Sequence, residues 1–331
     1  MTAAALWRRT LGVATALCAA GLLLGMAEPI WPGAAAPAAL RAHLCALALA
    51  LAGTLWATRA RKTALAMAVL ALGAAGTLRA PAPPPAAATA RPAVIITLAT
   101  ANLRRTNPRP DAMARDLLAL GADILAVQEI PPGFLDAHPE IRRAYPYGAV
   151  HFSSIPPGGR GVLSRLPLAA GAVAPRAGDK PGHAAATFDL GRGARLRVMS
   201  VHFAWPLIGP QAFQIDRFAR FAPDFAPDLI RPEGGPAIAV AGDFNAARWS
   251  DAVTRVGAIT GAAPVGGLRG TYRGIAPESL ARPLSALPFG LPIDHILLSA
   301  DATLLALTTA PIAGSDHLAV RAVISVPAAL P

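Results

Sequence analysis

The chain has 331 residues, more than one typical domain, and 54% of them are hydrophobic with a mean hydropathy of +0.45, too apolar for an ordinary soluble protein. Its 30 Lys and Arg against 19 Asp and Glu give a formal charge of +11, which suits anionic partners such as phosphate substrates or acidic headgroups, although an Arg-rich, Ala-rich and Pro-rich composition gives the same bias. The two cysteines, Cys18 and Cys45, both fall in apolar segments, which excludes an internal disulfide and a cysteine nucleophile from the remainder.

Thr10 to Ala27, Leu44 to Thr58 and Thr63 to Leu78 carry no charge, and they predict about three transmembrane helices within residues 1–79. Each is somewhat shorter than the about 20 residues that cross the hydrocarbon, with Arg41, Lys62 and Arg79 placed to snorkel from the ends. The first also reads as a signal peptide, with Arg8-Arg9 as its basic region and Gly25-Met26-Ala27 as a small-x-small cleavage site. Arg8 and Arg9 precede the first span and Arg59, Arg61 and Lys62 follow the second, whereas Arg41 alone lies in the first connection. The positive-inside rule then puts everything after Arg79 outside the cytoplasm, as in an integral protein of a bacterial inner membrane, whether or not the first segment is cleaved.

Residues 80–92 are rich in Pro and Ala and predict a semi-rigid, extended linker. A catalytic domain is expected over 93–331. Strands are predicted at 93–103, 123–128, 161–164, 184–188, 196–202, 237–241, 293–298 and 318–324, and helices at 111–120, around 134–144 and at 212–221, with Phe213, Phe218 and Phe221 near one helix face. Strands joined both by short turns and by helices favour an α/β fold with a pair of mixed sheets and outer helices over a doubly wound parallel sheet.

Polar residues gather where these apolar strands end. Asn102 follows the first strand, Gln128-Glu129 ends the buried run Ile124-Leu125-Ala126-Val127, and His202 ends Met199-Ser200-Val201. The run Ala239-Val240-Ala241-Gly242-Asp243-Phe244-Asn245 places an Asp and an Asn one residue apart, on the same side of an extended backbone. Near the C-terminus, Gly314-Ser315-Asp316-His317 precedes an apolar strand, and Asp294-His295 opens another. Taken singly, each has an ordinary explanation: a strand-end acid, a turn Asn, an Asx turn or a capped core histidine. His295, on the face opposite Asp294, reads as structural. Together they suit phosphoester hydrolysis, which needs phosphoryl charge neutralised and a water activated in line with the leaving group.

In order and spacing these motifs resemble the endonuclease/exonuclease/phosphatase superfamily of metal-dependent phosphoesterases, over roughly residues 94 to 327. The resemblance implies a four-layered sandwich of two mixed β-sheets flanked by helices, and a divalent cofactor, Mg2+ or Mn2+, held by Asn102, Glu129 and Asp316. It implies that Asp243 orients or activates the attacking water, Asn245 binds a phosphate oxygen, His317 acts on the scissile phosphate, and Asp294 orients His317. His202 matches a histidine found in many members that hydrolyse lipid or small-molecule phosphates. Arg160 and Arg165 flank a family-like strand without an assigned role, and Tyr145 and Tyr147 match no motif. The chain is also similar to multi-span membrane members of the superfamily, including those linked to glycopeptide-antibiotic resistance, and this implies a membrane-anchored enzyme acting on a lipid-linked phosphate or pyrophosphate. An extracytoplasmic nuclease and a catalytically silent membrane scaffold are the alternatives. No basic stripe interleaved with aromatics favours nucleic acid as partner.

Overall fold

The computed structural model describes residues 2–79, 92–152, 159–169, 183–206, 210–225, 235–274 and 290–328. Its N-terminal part holds helices α1 (Ala3–Met26), α2 (Ala35–Ala39), α3 (Arg41–Ala57) and α4 (Arg61–Gly76). Of the three expected spans, only α1 is by itself long and apolar enough to cross a membrane, and α2 with α3 makes a second candidate bent by 60°. The 16 residues of α4, at about 1.5 Å each, fall short of the about 30 Å hydrocarbon layer. Arg8 and Arg9 lie within α1, not ahead of it. The predicted linker lies outside the described residues, apart from Pro92.

The part after the linker is built from two mixed sheets. The first contains β1 (Ala93–Asn102), β2 (Ile124–Ile130), β3 (Tyr147–Phe152), β4 (Gly159–Ser164), β10 (Thr303–Pro311) and β11 (Leu318–Pro327), in the order β10-β11-β1-β2-β4-β3. The second contains β5 (His183–Gly191), β6 (Ala194–His202), β7 (Ala237–Asp243), β8 (Ala262–Pro264) and β9 (Asp294–Ser299), in the order β5-β6-β7-β9-β8. Each sheet has one parallel pair at its centre, β1 with β2 and β6 with β7, and antiparallel neighbours around it. The parallel pairs are crossed by α5 (Pro110–Ala119) and α8 (Pro210–Phe225), as parallel strands require.

Three apolar layers hold the sandwich together. Leu98, Ile124, Phe188, Leu196, Val198 and Ile324 pack between the sheets. Met113 and Leu117 of α5, with Phe134 and Ile141, cover the outside of the first sheet. Ile215 and Phe218 of α8 and Val253 and Val256 of α9 (Asp251–Thr260) cover the second. The expected four-layered sandwich is therefore present. The segment 134–144 is two short helices, α6 (Phe134–Ala137) and α7 (Pro139–Ala144), divided at His138-Pro139; the residue before a proline is driven out of helical conformation. In α8, Phe218 is buried and Phe213 is 61% exposed, because five residues turn a helix well past one face; the Phe221 side chain lies outside the described residues.

Candidate active site

Alternation along the strands builds the site. Leu98, Thr100 and Asn102 of β1 share the face that looks between the sheets, as do Val198, Ser200 and His202 of β6, Ala239, Ala241 and Asp243 of β7, and Leu298, Ile296 and Asp294 of β9. The same period-2 face that makes the inner core thus ends, strand by strand, in a polar residue. Register aligns those ends: His202 pairs with Asp243, and Asp243 with Asp294. Below them, Gln128 Nε2 donates to Ser200 Oγ at 2.9 Å and Ser200 Oγ donates to the Val127 carbonyl at 3.0 Å, a buried clip between the two sheets.

Two backbone irregularities aim the remaining groups. The pairing of β2 with β4 shifts between Val127 and Ile130, and Glu129 sits in this bulge at φ 52°, a strained conformation for a glutamate that turns its carboxylate towards the site. Gly242 has φ 153°, and a Cβ there would lie 2.0 Å from the Val201 carbonyl oxygen, so β6 and β7 approach this closely only with glycine. Asn245 has φ 46°, and its N–H donates to Asp243 Oδ1 at 2.8 Å. The expected extended Asp-Phe-Asn run is therefore an Asx turn. Its amide donates to the Phe203 carbonyl at 2.8 Å, and its buried Oδ1 has no protein partner.

Asn102 is the bridge between the sheets. Its Nδ2 donates to Glu129 Oε1 at 3.1 Å and to Asp243 Oδ2 at 3.0 Å, while its Oδ1 accepts from Arg104 N–H at 2.9 Å. His317 Nδ1 lies 2.9 Å from Asp294 Oδ2, and its Nε2 lies 3.7 Å from Asp243 Oδ2. His202 Nε2 lies 3.5 Å from Asp243 Oδ2 and 3.8 Å from Glu129 Oε1. Seven of the eight anticipated residues thus share one cluster through side chains or, for Asn245, through the backbone. Asp316 is the eighth: it is half-buried, its carbonyl accepts from Arg273 N–H at 2.7 Å, and its carboxylate acts on the cluster only as charge that helps to raise His317. His295 points to the other face, where its Nε2 meets the Ala246 carbonyl at 2.8 Å, in keeping with a structural role.

The electrostatics divide the groups by task. Burial and the neighbouring Arg160 and His317 push His202 down to about 3, so its contacts with the carboxylates are polar contacts of a neutral ring rather than ion pairs. Burial opposes the charge on His317, yet the carboxylates of Asp294 and Asp243 outweigh it and push it up to about 10. Burial and Asp294 push Asp243 up to about 7. A carboxylate so placed calls for positive charge beyond what His317 supplies.

Two residues escaped the sequence reading. Arg160 is 5% exposed, and its Nη2 donates to the His202 carbonyl at 3.4 Å; burial pulls it below the usual guanidinium value and Glu129 opposes this. Its position before an apolar strand was the available signal, but most arginines are solvated. Tyr272 packs on His317 with ring centroids 5.0 Å apart, brought there by isolated bridges to Leu291 and His317 that no local motif announces. Arg165 instead lies over the Tyr145 ring, away from the cluster.

The donor set fits a hard divalent cation. Carboxylate oxygens of Asp243 and Asp294 lie within 4.8 Å of each other, Glu129 adds a further carboxylate, and the buried Asp294 Oδ1 has no protein partner. Such a cation would supply charge neutralisation of the phosphoryl oxygens and a more acidic water.

Residues 99–317 match the model of the Endonuclease/Exonuclease/phosphatase family. The chain belongs to this family. As a member of the endonuclease/exonuclease/phosphatase family it is a metal-dependent phosphoric ester hydrolase by class. The comparison with curated proteins gave no match. Among solved structures, it is similar to an endonuclease/exonuclease/phosphatase from Bacteroides vulgatus, at 17% identity and a TM-score of 0.54, over 70% of this chain and 99% of that one. It is similar to beta toxin from Staphylococcus aureus, a structure with bound magnesium ions, at 13% identity and a TM-score of 0.51, over 69% and 98% of the two chains. It is also similar to TDP2 from D. rerio, complexed with a single-strand DNA product, at 15% identity and a TM-score of 0.51, over 70% and 98%. At these identities the likeness shows the fold.

Proposed function

We propose that the protein is a membrane-anchored phosphoesterase that uses Mg2+ or Mn2+ to hydrolyse a lipid-linked phosphate ester or pyrophosphate outside the cytoplasm. The observation that carries the membrane part is the inverted packing of α1, α3 and α4. Most inward side chains are small, among them Cys18, Gly25, Cys45, Ala48, Ala52, Ala64, Ala71 and Ala74, joined by Leu11, Leu22, Leu55 and Met67, while Leu17, Leu47, Trp56, Leu65, Val69 and Leu72 are each about half exposed or more. In water this arrangement would leave large apolar faces unsatisfied; in lipid, small residues let helices approach and large ones meet acyl chains. Short spans are accommodated by local thinning and by snorkelling of flanking basic residues.

At the site, Glu129 and Asp316 would hold the divalent cation, which would neutralise phosphoryl charge. Asn102, in the orientation it adopts, steadies Glu129 and Asp243 through its amide. Asp243 orients the attacking water and Asn245 takes a phosphate oxygen. Neutral His202 and buried Arg160 face the phosphoryl group, and charged His317, oriented by Asp294, neutralises charge that develops on it. Because a lipid-borne substrate and the anchor occupy one surface, this reading accounts for both halves of the chain.

Topology and chemistry test it separately. An alkaline phosphatase fused after Arg91 should be active in a bacterial host and one fused at Arg61 should not; the reverse would put the active site in the cytoplasm. A metal-dependent screen over phospholipids, a polyprenyl pyrophosphate, nucleic acid and a generic phosphodiester identifies the substrate class, and a preference for nucleic acid would replace lipid with the nuclease alternative.

A further inference from the structure

The connection between α1 and α3 is built into the catalytic domain. Arg41, at the start of α3, is buried; its Nη2 donates to the Gly25 carbonyl at 2.6 Å, its Nη1 to Thr77 Oγ1 at 3.0 Å, and Glu28 lies 3.7 Å away. These contacts pin the ends of α1, α3 and α4 together where the chain departs for the first sheet. At that same end, the Ala38 carbonyl accepts from Trp249 Nε1 at 2.8 Å, and Trp249 is 7% exposed. Glu28, Pro32 and Ala35 of the connection share one crevice with Pro206, Gln211 and Asp251 of the catalytic domain.

This contact involves the active-site loops themselves. Gln211 Nε2 donates to the carbonyls of Ala204, Phe244 and Asn245, at 2.8, 3.0 and 3.3 Å. Trp249 closes the loop that begins at Asp243. On the other loop, Trp205 precedes Pro206, is 45% exposed, and packs on Tyr272 at 5.4 Å, which in turn packs on His317. A chain of rings thus leads from His317 to an exposed indole next in sequence to Pro206, which lines the crevice shared with the connection; in the connection itself Ile30 and Trp31 are also exposed, at 88% and 54%.

We infer that the α1–α3 connection is a seat that holds the mouth of the active site against the bilayer surface, with Trp205 as the positioning residue that meets the lipid carrying the phosphate ester. The inference rests on the membrane reading under Proposed function. A domain held by a Pro-rich linker alone would sample many orientations, whereas the Trp249–Ala38 bond and the shared crevice allow few. An indole with one apolar body and one N–H is suited to the water–lipid boundary, where tryptophan is enriched.

The test uses the full chain in nanodiscs with Mg2+. Trp205→Ala should lower kcat/KM for a polyprenyl pyrophosphate carried in the disc by tenfold or more, chiefly through KM, and leave bis(4-nitrophenyl) phosphate hydrolysis within twofold. Trp249→Phe, which keeps the ring and loses the donor, should show the same split. Equal losses on both substrates, or no loss on the lipid, would overturn the inference. A substrate-free readout runs alongside. With Cys18 and Cys45 replaced by Ala, a nitroxide at Trp205→Cys should be relaxed by nickel chelated to lipid headgroups, and one at Leu305→Cys, on β10 towards the opposite end of the sandwich, should not. No relaxation at either position, while hydrolysis persists, refutes the seat and leaves the phosphoesterase reading standing; a chain relaxed at Trp205 yet inactive on every phosphate ester sinks that reading alone.

Discussion

Asp294 Oδ2 accepts from His317 Nδ1 at 2.9 Å, across a gap between the two sheets. That bond fixes the ring so that Nε2 faces Asp243, and in the proposed function the imidazolium is the group that meets developing phosphoryl charge. Removing the acid should therefore affect both orientation and charge. Since His317 is raised to about 10, its charge is present below that value and is lost as pH rises through it. Asp294→Asn removes the largest raising influence, so the basic limb of the pH-rate profile should move to lower pH and kcat should fall about 10- to 100-fold. An unmoved limb would remove Asp294 from this role.

Glu129 and His317 should separate under metal titration. Glu129→Gln loses a metal-directed charge, so more Mg2+ should be needed for half-maximal activity and excess metal should restore part of it. His317→Ala should lose about two to four orders of magnitude in turnover, and metal should not restore it. Rescue of His317→Ala with an inert Glu129→Gln would invert the two roles.

Asp243 is raised to about 7 from 3.8, so the metal-free native state holds this proton more tightly than the unfolded chain. That contribution to stability is complete at pH below about 4 and is lost as pH rises through about 7. Thermal unfolding in chelator should accordingly show wild type losing more stability between pH 5 and pH 8 than Asp243→Asn, a near-isosteric change that also removes most hydrolysis. Identical pH dependence would place the carboxylate in a less strained setting.

Gly242→Ala addresses the close approach of β6 and β7. With 2.0 Å between the new Cβ and the Val201 carbonyl oxygen, backbone must shift, and a loss of about 2 to 4 kcal/mol is expected, read as a lower Tm in detergent. An unchanged Tm would mean that the two strands can separate without cost.

The layered architecture was readable because the apolar strands alternate or run fully apolar and are punctuated by turn residues. The site was readable because its polar residues end those strands. Edge strands were harder: β10 alternates exposed and half-buried residues without a buried face, and β3 and β8 are short. Helix α9 has its apolar residues at helical spacing but sits between two loops. Asp243 and Asn245 were placed together for the wrong geometric reason, since the chain turns at Phe244 instead of continuing extended. Arg160 and Tyr272 reach the site through contacts distant in sequence; a place before an apolar strand was the one signal for Arg160, and nothing local marks Tyr272. The N-terminal helices were read from charge-free runs, which report apolarity without fixing where a helix starts or bends.

The most direct test of the whole account is phosphate release from a polyprenyl pyrophosphate by the full chain in nanodiscs, with and without Mg2+. The account predicts release that requires the metal, stops with chelator, and falls at least a hundredfold in Asp243→Asn while the variant stays folded. Release that is independent of metal, or equal in wild type and Asp243→Asn, would contradict it.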